Sequence, residues 1–132
     1  MILVDTSLWI AYFKKEHSNA IDDLDVLIFE GRVATCRPIY SEIRSGQMKI
    51  ETFKIIESTF ESFYFADPDW TQEQSWRKLG DMAQAAYKNS IPACGLVDRM
   101  ILLSSLHSDL ALWTLDKKLQ RLAQLFKIKL YN

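Results

Sequence analysis

Four acidic residues stand where a short apolar segment ends or a helix starts. Asp5 and Asp116 each follow such a segment, Asp98 falls in the first turn of a predicted helix, and Glu42 lies on a short helix beyond the second apolar segment. Carboxylates gathered in one pocket repel one another, and a cation is needed to keep them ionised at neutral pH. Mg²⁺ and Mn²⁺ prefer such oxygen ligands. The four acids are therefore a candidate metal site, provided that the fold brings them together.

A site of this kind suits hydrolysis of phosphodiesters. The metal activates a water molecule, and one or two ions ~3.5–4 Å apart stabilise the attacking and leaving oxygens of an in-line displacement. No Ser/His/Asp or Cys/His set competes with this interpretation, because His17 and His107 have no partner at ligand spacing. Cys36 and Cys94, both flanked by apolar residues, are interpreted as small core residues in a reducing compartment.

The alternative is that the four acids never meet. A lone Asp at a helix start is usually a cap, whose carboxylate accepts backbone N–H groups and contributes ~0.5–2 kcal/mol. Composition and spacing do not decide between four separate caps or surface acids and one shared site.

The order of apolar and amphipathic segments predicts an α/β fold. Strands are predicted at Met1–Val4, Val33–Cys36, Phe63–Phe65, Leu110–Trp113 and Ile128–Leu130. Between them the apolar spacing is helical, as in Trp70–Asn89, whose buried stripe is predicted to include Trp76 and Tyr87. Thr6 and Ser7 are predicted to offer N-cap hydroxyls to the first helix. We expect one three-layer α/β/α domain, residues 1–132, with a short and mostly parallel central sheet.

This fold would bring the acids together. The carboxyl ends of parallel strands lie along one edge of a sheet, where ligands bind. Asp5, Glu42 and Asp116 would reach that edge, and Asp98 would join them if its helix starts there.

The overall charge sets limits on partners. Lys and Arg total 16 against 17 Asp and Glu, for a formal net charge of −1. Nucleic acid must therefore bind through a local basic patch or a metal. No apolar run approaches the ~20 residues of a membrane span, and the first acid comes too early for a signal peptide. We expect a cytoplasmic protein with no membrane association.

Four segments resemble, in order, the motifs of PIN-domain nucleases. They are Val4–Ile10, Glu42–Gly46, Gly95–Asp98 with the apolar helix after it, and Leu112–Lys117. The resemblance covers nearly the whole chain, and the length is most similar to that of VapC-type toxins of toxin–antitoxin pairs.

The resemblance implies a Mg²⁺-dependent endoribonuclease that cleaves structured RNA such as transfer or ribosomal RNA. It implies a homodimer inhibited by a cognate antitoxin. The metal-binding and catalytic acids would be Asp5, Glu42, Asp98 and Asp116, supported by the hydroxyls of Thr6, Ser7 and Thr114.

Several side chains near these motifs have two interpretations. Arg44, Arg99 and Lys117 could contact RNA phosphates, although a surface ion pair is slightly favoured for Arg99. A solvated surface is favoured for Lys118 and Arg121. The aromatic stripe of Trp9, Tyr12 and Phe13 could be core or could line a groove for an antitoxin helix. Trp70 could be exposed or could contact a second protomer.

Two rival functions remain at this stage. The first is a non-catalytic RNA-binding or assembly module on the same fold. The second is a receiver-like or phosphatase-like domain with Asp5 as phosphoryl acceptor. The second is disfavoured because the first strand lacks an Asp-x-Asp pair and no strand-end Lys is suitably placed.

Overall fold

A parallel four-stranded sheet forms the centre of the protein, in a computed structural model that describes all residues 1–132. Its strands are β1 (Ile2–Val4), β2 (Val33–Thr35), β3 (Tyr64–Phe65) and β4 (Ala111–Trp113). They are arranged in the order β3-β2-β1-β4, and every neighbouring pair is parallel. All of β1 and β2 is buried, as expected for apolar strands covered on both faces.

Seven helices connect or follow the strands. They are α1 (Thr6–Phe13), α2 (Asn19–Phe29), α3 (Arg37–Arg44), α4 (Ile50–Glu61), α5 (Glu73–Lys88), α6 (Leu96–Ser108) and α7 (Lys117–Leu125). Pro38 lies in the first turn of α3, where its missing N–H has no helical partner to lose. At the start of α2 the Ser18 hydroxyl oxygen accepts the Ile21 N–H as an N-cap. Shortly after the end of α2, Gly31 adopts the left-handed backbone conformation.

The core lies on both sides of β1. Leu3 pairs with Ala34 on one side and Leu112 on the other, and all three are fully buried. Trp9 is also fully buried, and its ring contacts those of Phe60 and Phe63. Trp9 is therefore a core residue. Its neighbours Tyr12 and Phe13 are only partly buried.

The structure confirms the predicted α/β/α class and departs from the prediction in the last strand, in two side chains of α5 and at one cysteine. The last predicted strand is reduced to an isolated bridge between Leu130 and Leu112. Trp76 and Tyr87 are 45% and 82% exposed, so their predicted burial is wrong. Cys36 is buried as predicted, but Cys94 is only partly so. None of the helices is both long and apolar enough to cross a membrane.

The strand order creates a crevice beside β1. The chain builds β1, β2 and β3 in one direction across the sheet and then returns to place β4 on the other side of β1. Ligands of open α/β sheets bind outside the carboxyl ends of the strands at such a reversal. The position between the ends of β1 and β4 is therefore where a site is expected.

Candidate active site

Asp5 lies at this reversal point, and its carboxylate is almost completely buried. The Asp5 N–H donates to the Trp113 carbonyl at 2.9 Å, which extends the pairing of β1 with β4 by one residue. The side chain is 5% exposed. Asp5 occupies the N-cap position of α1, yet its carboxylate accepts no capping hydrogen bond. The cap interpretation therefore does not hold for Asp5.

Two hydroxyl groups hold the Asp5 carboxylate instead. Thr114 Oγ1 donates to Asp5 Oδ2 at 2.7 Å, and Ser7 Oγ donates to the same oxygen at 3.1 Å. The Ser7 hydroxyl also accepts the Leu115 N–H at 3.3 Å. Ser7 and Thr114 thus join the ends of β1 and β4 around one carboxylate.

Glu42 reaches the same crevice from α3. Its Oε1 accepts a hydrogen bond of 2.8 Å from Thr6 Oγ1, while the carboxylate as a whole stays exposed. Thr6 and Ser7 lie inside α1, so the prediction that they cap this helix is wrong. The Thr6 hydroxyl donates to Glu42 and the Ser7 hydroxyl donates to Asp5, so the first turn of α1 contacts both acids.

Asp116 both caps a helix and belongs to the cluster. Its Oδ1 accepts the N–H groups of Lys118 at 2.9 Å and Leu119 at 3.4 Å, which fixes the start of α7. Its own N–H donates to Thr114 Oγ1 at 3.1 Å. Thr114 therefore links Asp116 to Asp5, so the cap and the site are not alternatives for this residue.

Asp98, in the first turn of α6, is affected electrostatically by the other three acids. Partial burial raises the pKa of its carboxyl group most, and the negative charges of Asp5, Asp116 and Glu42 raise it further. A hydrogen bond from the Gly95 backbone acts in the opposite direction. The side chains of all four acids therefore converge closely enough to influence one ionisation.

The four acids provide the ligand atoms of a metal site, but their side chains lie too far apart to share one ion. No three His, Cys, Asp or Glu side chains lie close enough to hold a metal as they stand. The donors nevertheless fit a hard divalent cation, because all are carboxylate oxygens. Burial raises the pKa of Asp98 most, and the negative charges of the other acids, which such a cation would offset, raise it further.

The three predicted phosphate-binding cations have different surroundings. Arg44 pairs with Glu57, donates to the Tyr40 hydroxyl and lies over the Phe53 ring, so it is engaged between α3 and α4. Arg99 donates to the Leu79 carbonyl at 2.7 Å, within the contact of α5 and α6. The ion pair slightly favoured for Arg99 is absent. Lys117 alone is exposed at the crevice without an ion-pair partner.

Two residues near the site gave little signal in the sequence. Gln120 donates from its side chain to the Thr114 carbonyl at 2.8 Å and so fixes the backbone beside Asp5. It follows Asp116 by four residues, which is too far for a capping box. Cys94 precedes α6, and the negative charges of Asp98 and Asp116 contribute to raising its pKa.

Replacing Thr114 with valine is expected to lower metal affinity by about 10–100-fold, as is typical when a group that orients a ligand is lost. Valine keeps the volume but removes the donor to Asp5, and Thr114→Ser should retain it. Calorimetric titration with Mg²⁺ and Mn²⁺ measures the change. Equal affinities for the valine and serine variants would show that the hydroxyl does not position Asp5.

Cys94 should report on a cation at the acids. Burial raises the pKa of its thiol most, and the charges of Asp98 and Asp116 raise it further. A bound divalent cation would offset those charges and so lower the pKa of the thiol. Because a larger fraction of Cys94 would then be thiolate, its alkylation by iodoacetamide at pH 8 should accelerate as Mg²⁺ is added. Mass spectrometry of the labelled peptides follows the rate. Cys36 serves as the internal control, because burial raises the pKa of its thiol to about 12. A Cys94 rate that ignores Mg²⁺ and Mn²⁺ would argue against a site at these acids.

The fold and the site together define an α/β protein with an acid-lined crevice at the carboxyl edge of a parallel sheet. The chain belongs to the PIN-domain family, whose family model matches residues 2–125. The resemblance noted in the four motifs is thereby confirmed.

Curated relatives match part of the chain. VapC ribonuclease Mb1587 of Mycobacterium bovis and ribonuclease VapC11 of Mycobacterium tuberculosis are each 41% identical to it over 59 residues. The match covers 43% of this chain and 44% of each relative. The chain thus spans less than half the length of these relatives.

Solved structures are similar over the whole chain. FitAcB of Neisseria gonorrhoeae has a TM-score of 0.70 and 18% identity, covering 100% of this chain and 97% of that chain. VapBC2 of Rickettsia felis, bound to a DNA fragment from its promoter, has a TM-score of 0.73 and 17% identity, covering 100% and 98%. At these identities the similarity shows the fold.

Proposed function

We propose that this protein is a divalent-metal-dependent endoribonuclease and the toxin of a toxin–antitoxin pair. The observation that carries the proposal is the state of Asp5, a buried carboxylate that does not cap its helix and is held by hydroxyls from both sides of the crevice. A structural cap would not need this arrangement. The names of the curated relatives describe ribonucleases, which supports RNA as the substrate.

The roles of the residues follow from their surroundings. Asp5, Glu42, Asp98 and Asp116 would hold Mg²⁺ or Mn²⁺, which supplies Lewis-acid stabilisation of phosphate oxygens and makes water a better nucleophile. Thr114 and Ser7 orient Asp5, and Thr6 orients Glu42. One of the four carboxylates would accept the proton that the attacking water loses.

A partner protein would bind beside α1. A cleft of about 530 Å³ extends from Phe13 past Met48 to Glu42. The exposed side chain of Ile10 adds apolar surface to its wall. A segment of an antitoxin lying in this cleft would reach one of the acids and so block the site. We further propose a homodimer, from the family resemblance, and structured RNA such as transfer or ribosomal RNA as the substrate.

Incubation with a total small-RNA pool tests the activity. Wild-type protein in Mg²⁺ is expected to yield discrete fragments, which disappear with EDTA or in the Asp98→Asn variant. The matched control is Lys14→Gln. Lys14 is exposed, lines the cleft in which the antitoxin is proposed to bind and is not one of the four acids, so this variant should cleave RNA normally. RNA binding without turnover in Mg²⁺ and Mn²⁺ would reject the nuclease and assign a non-catalytic RNA-binding module.

A further inference from the structure

Glu42 also lines a second groove, which is distinct from the cleft beside α1. It has a volume of about 580 Å³ and lies between α3 and the start of α6, the helices that carry Glu42 and Asp98. Its walls include Arg37, Ser41, Glu42, Trp70, Val97 and Met100. The groove is therefore continuous with the acidic crevice and is lined by an aromatic ring, apolar side chains and a cation.

The aromatic wall of this groove is fixed in place. Trp70 Nε1 donates to Asp67 Oδ1 at 2.7 Å, and the Trp76 ring lies 5.9 Å from the Trp70 ring. Trp76 Nε1 also donates to the Trp70 carbonyl at 2.8 Å. A ring already held in one orientation loses little conformational entropy when a planar ligand stacks on it.

Arg37 supplies the cation that lines this groove. The Asp67 carboxylate accepts the Arg37 backbone N–H at 2.9 and 3.0 Å, which places Arg37 next to Trp70. The Arg37 guanidinium lies over the Phe65 ring at 4.1 Å and has no carboxylate partner. One acid, Asp67, thus holds both the Trp70 indole and the backbone from which the Arg37 side chain extends.

We propose that this groove binds an unstacked nucleobase of the RNA strand, with the base on Trp70 and a backbone phosphate on Arg37. The proposal rests on the proposed function, because it places the scissile phosphate at the acids. A nucleotide next to that phosphate lies within reach of the groove, which adjoins Glu42. Single-stranded RNA presents bases that stack on aromatic side chains, and arginine binds phosphate in a planar, two-pronged manner. Trp70 is therefore a residue that determines which strand conformation is bound.

Substitution of Trp70 tests the stacking. A fluorescein-labelled single-stranded hexaribonucleotide is titrated in Mg²⁺ by anisotropy, in an Asp98→Asn background that limits cleavage. Trp70→Leu is expected to weaken binding about tenfold, because loss of one base–aromatic stack costs on that order. Trp70→Phe, which keeps a ring, should lie between leucine and wild type. The matched control is Tyr87→Leu, which removes an 82%-exposed aromatic residue near the end of α5 and should bind like the parent.

Two further measurements identify the ligand as a base with its phosphate. An abasic site is placed at each position of the oligonucleotide in turn. At the position whose base stacks on Trp70, the parent protein, Trp70→Phe and Trp70→Leu should all bind the abasic strand with equal affinity. Arg37→Gln should reduce the slope of log affinity against log salt by about 0.7, the value for one phosphate contact on a single strand.

The outcomes separate this inference from the proposed function. If Trp70→Leu and Trp70→Phe both bind like Tyr87→Leu, the groove is not a base site, even if wild-type protein cleaves RNA. If Trp70→Leu instead changes the mass measured by sedimentation, the groove is a protein contact and the inference is overturned. If wild-type protein never cleaves RNA but binding depends on Trp70, the groove stands and the nuclease proposal fails.

Discussion

Replacing Asp98 with asparagine is expected to raise the melting temperature of the metal-free protein and to lower RNA cleavage by about 10²–10³-fold. The loss reflects several kcal/mol of transition-state stabilisation from the cation, at a factor of ten per ~1.4 kcal/mol. The gain in stability has an electrostatic cause. Partial burial and the charges of Asp5, Asp116 and Glu42 raise the pKa of Asp98, so its ionised form destabilises the folded state.

The pH dependence of this gain has a definite sign. Because the folded protein holds the Asp98 proton more tightly than the unfolded chain, stability falls as the pH rises from the unfolded pKa through the raised folded pKa. The difference in melting temperature between variant and wild type should therefore be largest at neutral pH and shrink in acid.

Mg²⁺ should reverse the order of stability between the two proteins. A ligand at 100 times its dissociation constant stabilises the folded state by about 2.7 kcal/mol. Wild-type protein should gain this stability and the Asp98→Asn variant much less, as thermal denaturation in EDTA and in Mg²⁺ would measure. A variant that melts below the wild type in EDTA at neutral pH would contradict the electrostatic account of this residue.

Replacing Trp9 with alanine is expected to cost about 3–5 kcal/mol of unfolding free energy, the usual range for removing a large buried aromatic residue. The ring is fully buried against Phe60, Phe63 and Phe13. A total stability of ~5–15 kcal/mol is typical of a domain, so this change would remove a large part of it. Urea denaturation followed by circular dichroism gives the difference.

A conservative change at the same position separates packing from hydrogen bonding. Trp9 Nε1 donates to the Val4 carbonyl at 3.1 Å, next to Asp5. Trp9→Phe keeps most of the buried ring but leaves that carbonyl without its donor, at a cost of about 1–3 kcal/mol. If alanine and phenylalanine cost the same, packing of the ring would not be the main contribution. The exposed Tyr87→Leu change, with little to lose, provides the reference.

The strands, and the placement of their carboxyl ends on one edge of the sheet, could be predicted because they depend on local patterns. Short apolar runs that end in Asp5 or lead to Asp116 indicate buried parallel strands, and parallel strands have their carboxyl ends on one edge. The sequence could not show that Asp116 caps α7 and is also linked through Thr114 to Asp5, since the second contact joins distant segments. One oxygen, Oδ1, makes the capping bonds of α7.

The side-chain partners could not be predicted because they depend on contacts between distant segments. Thr6 and Ser7 have the residue types of N-caps, but the acids delivered by β1 and α3 attract their hydroxyls. Arg44 is engaged by Glu57, which belongs to another helix, so spacing within α3 gives no indication of it. Helical periodicity also placed Trp76 on the buried face of α5, whereas the indole lies at the surface beside Trp70.

The pairing of β1 with β4 joins two segments that the ribosome synthesises at well-separated times. Thr114 lies 109 residues after the carboxylate that it holds, and the chain leaves the ribosome from its N-terminus. A nascent chain with Asp5 and Glu42 already synthesised still lacks the strand and the hydroxyl that complete the crevice. A chain whose translation stops before β4 lacks this side of the crevice, so under the proposed function cleavage would first appear only after β4 has been made.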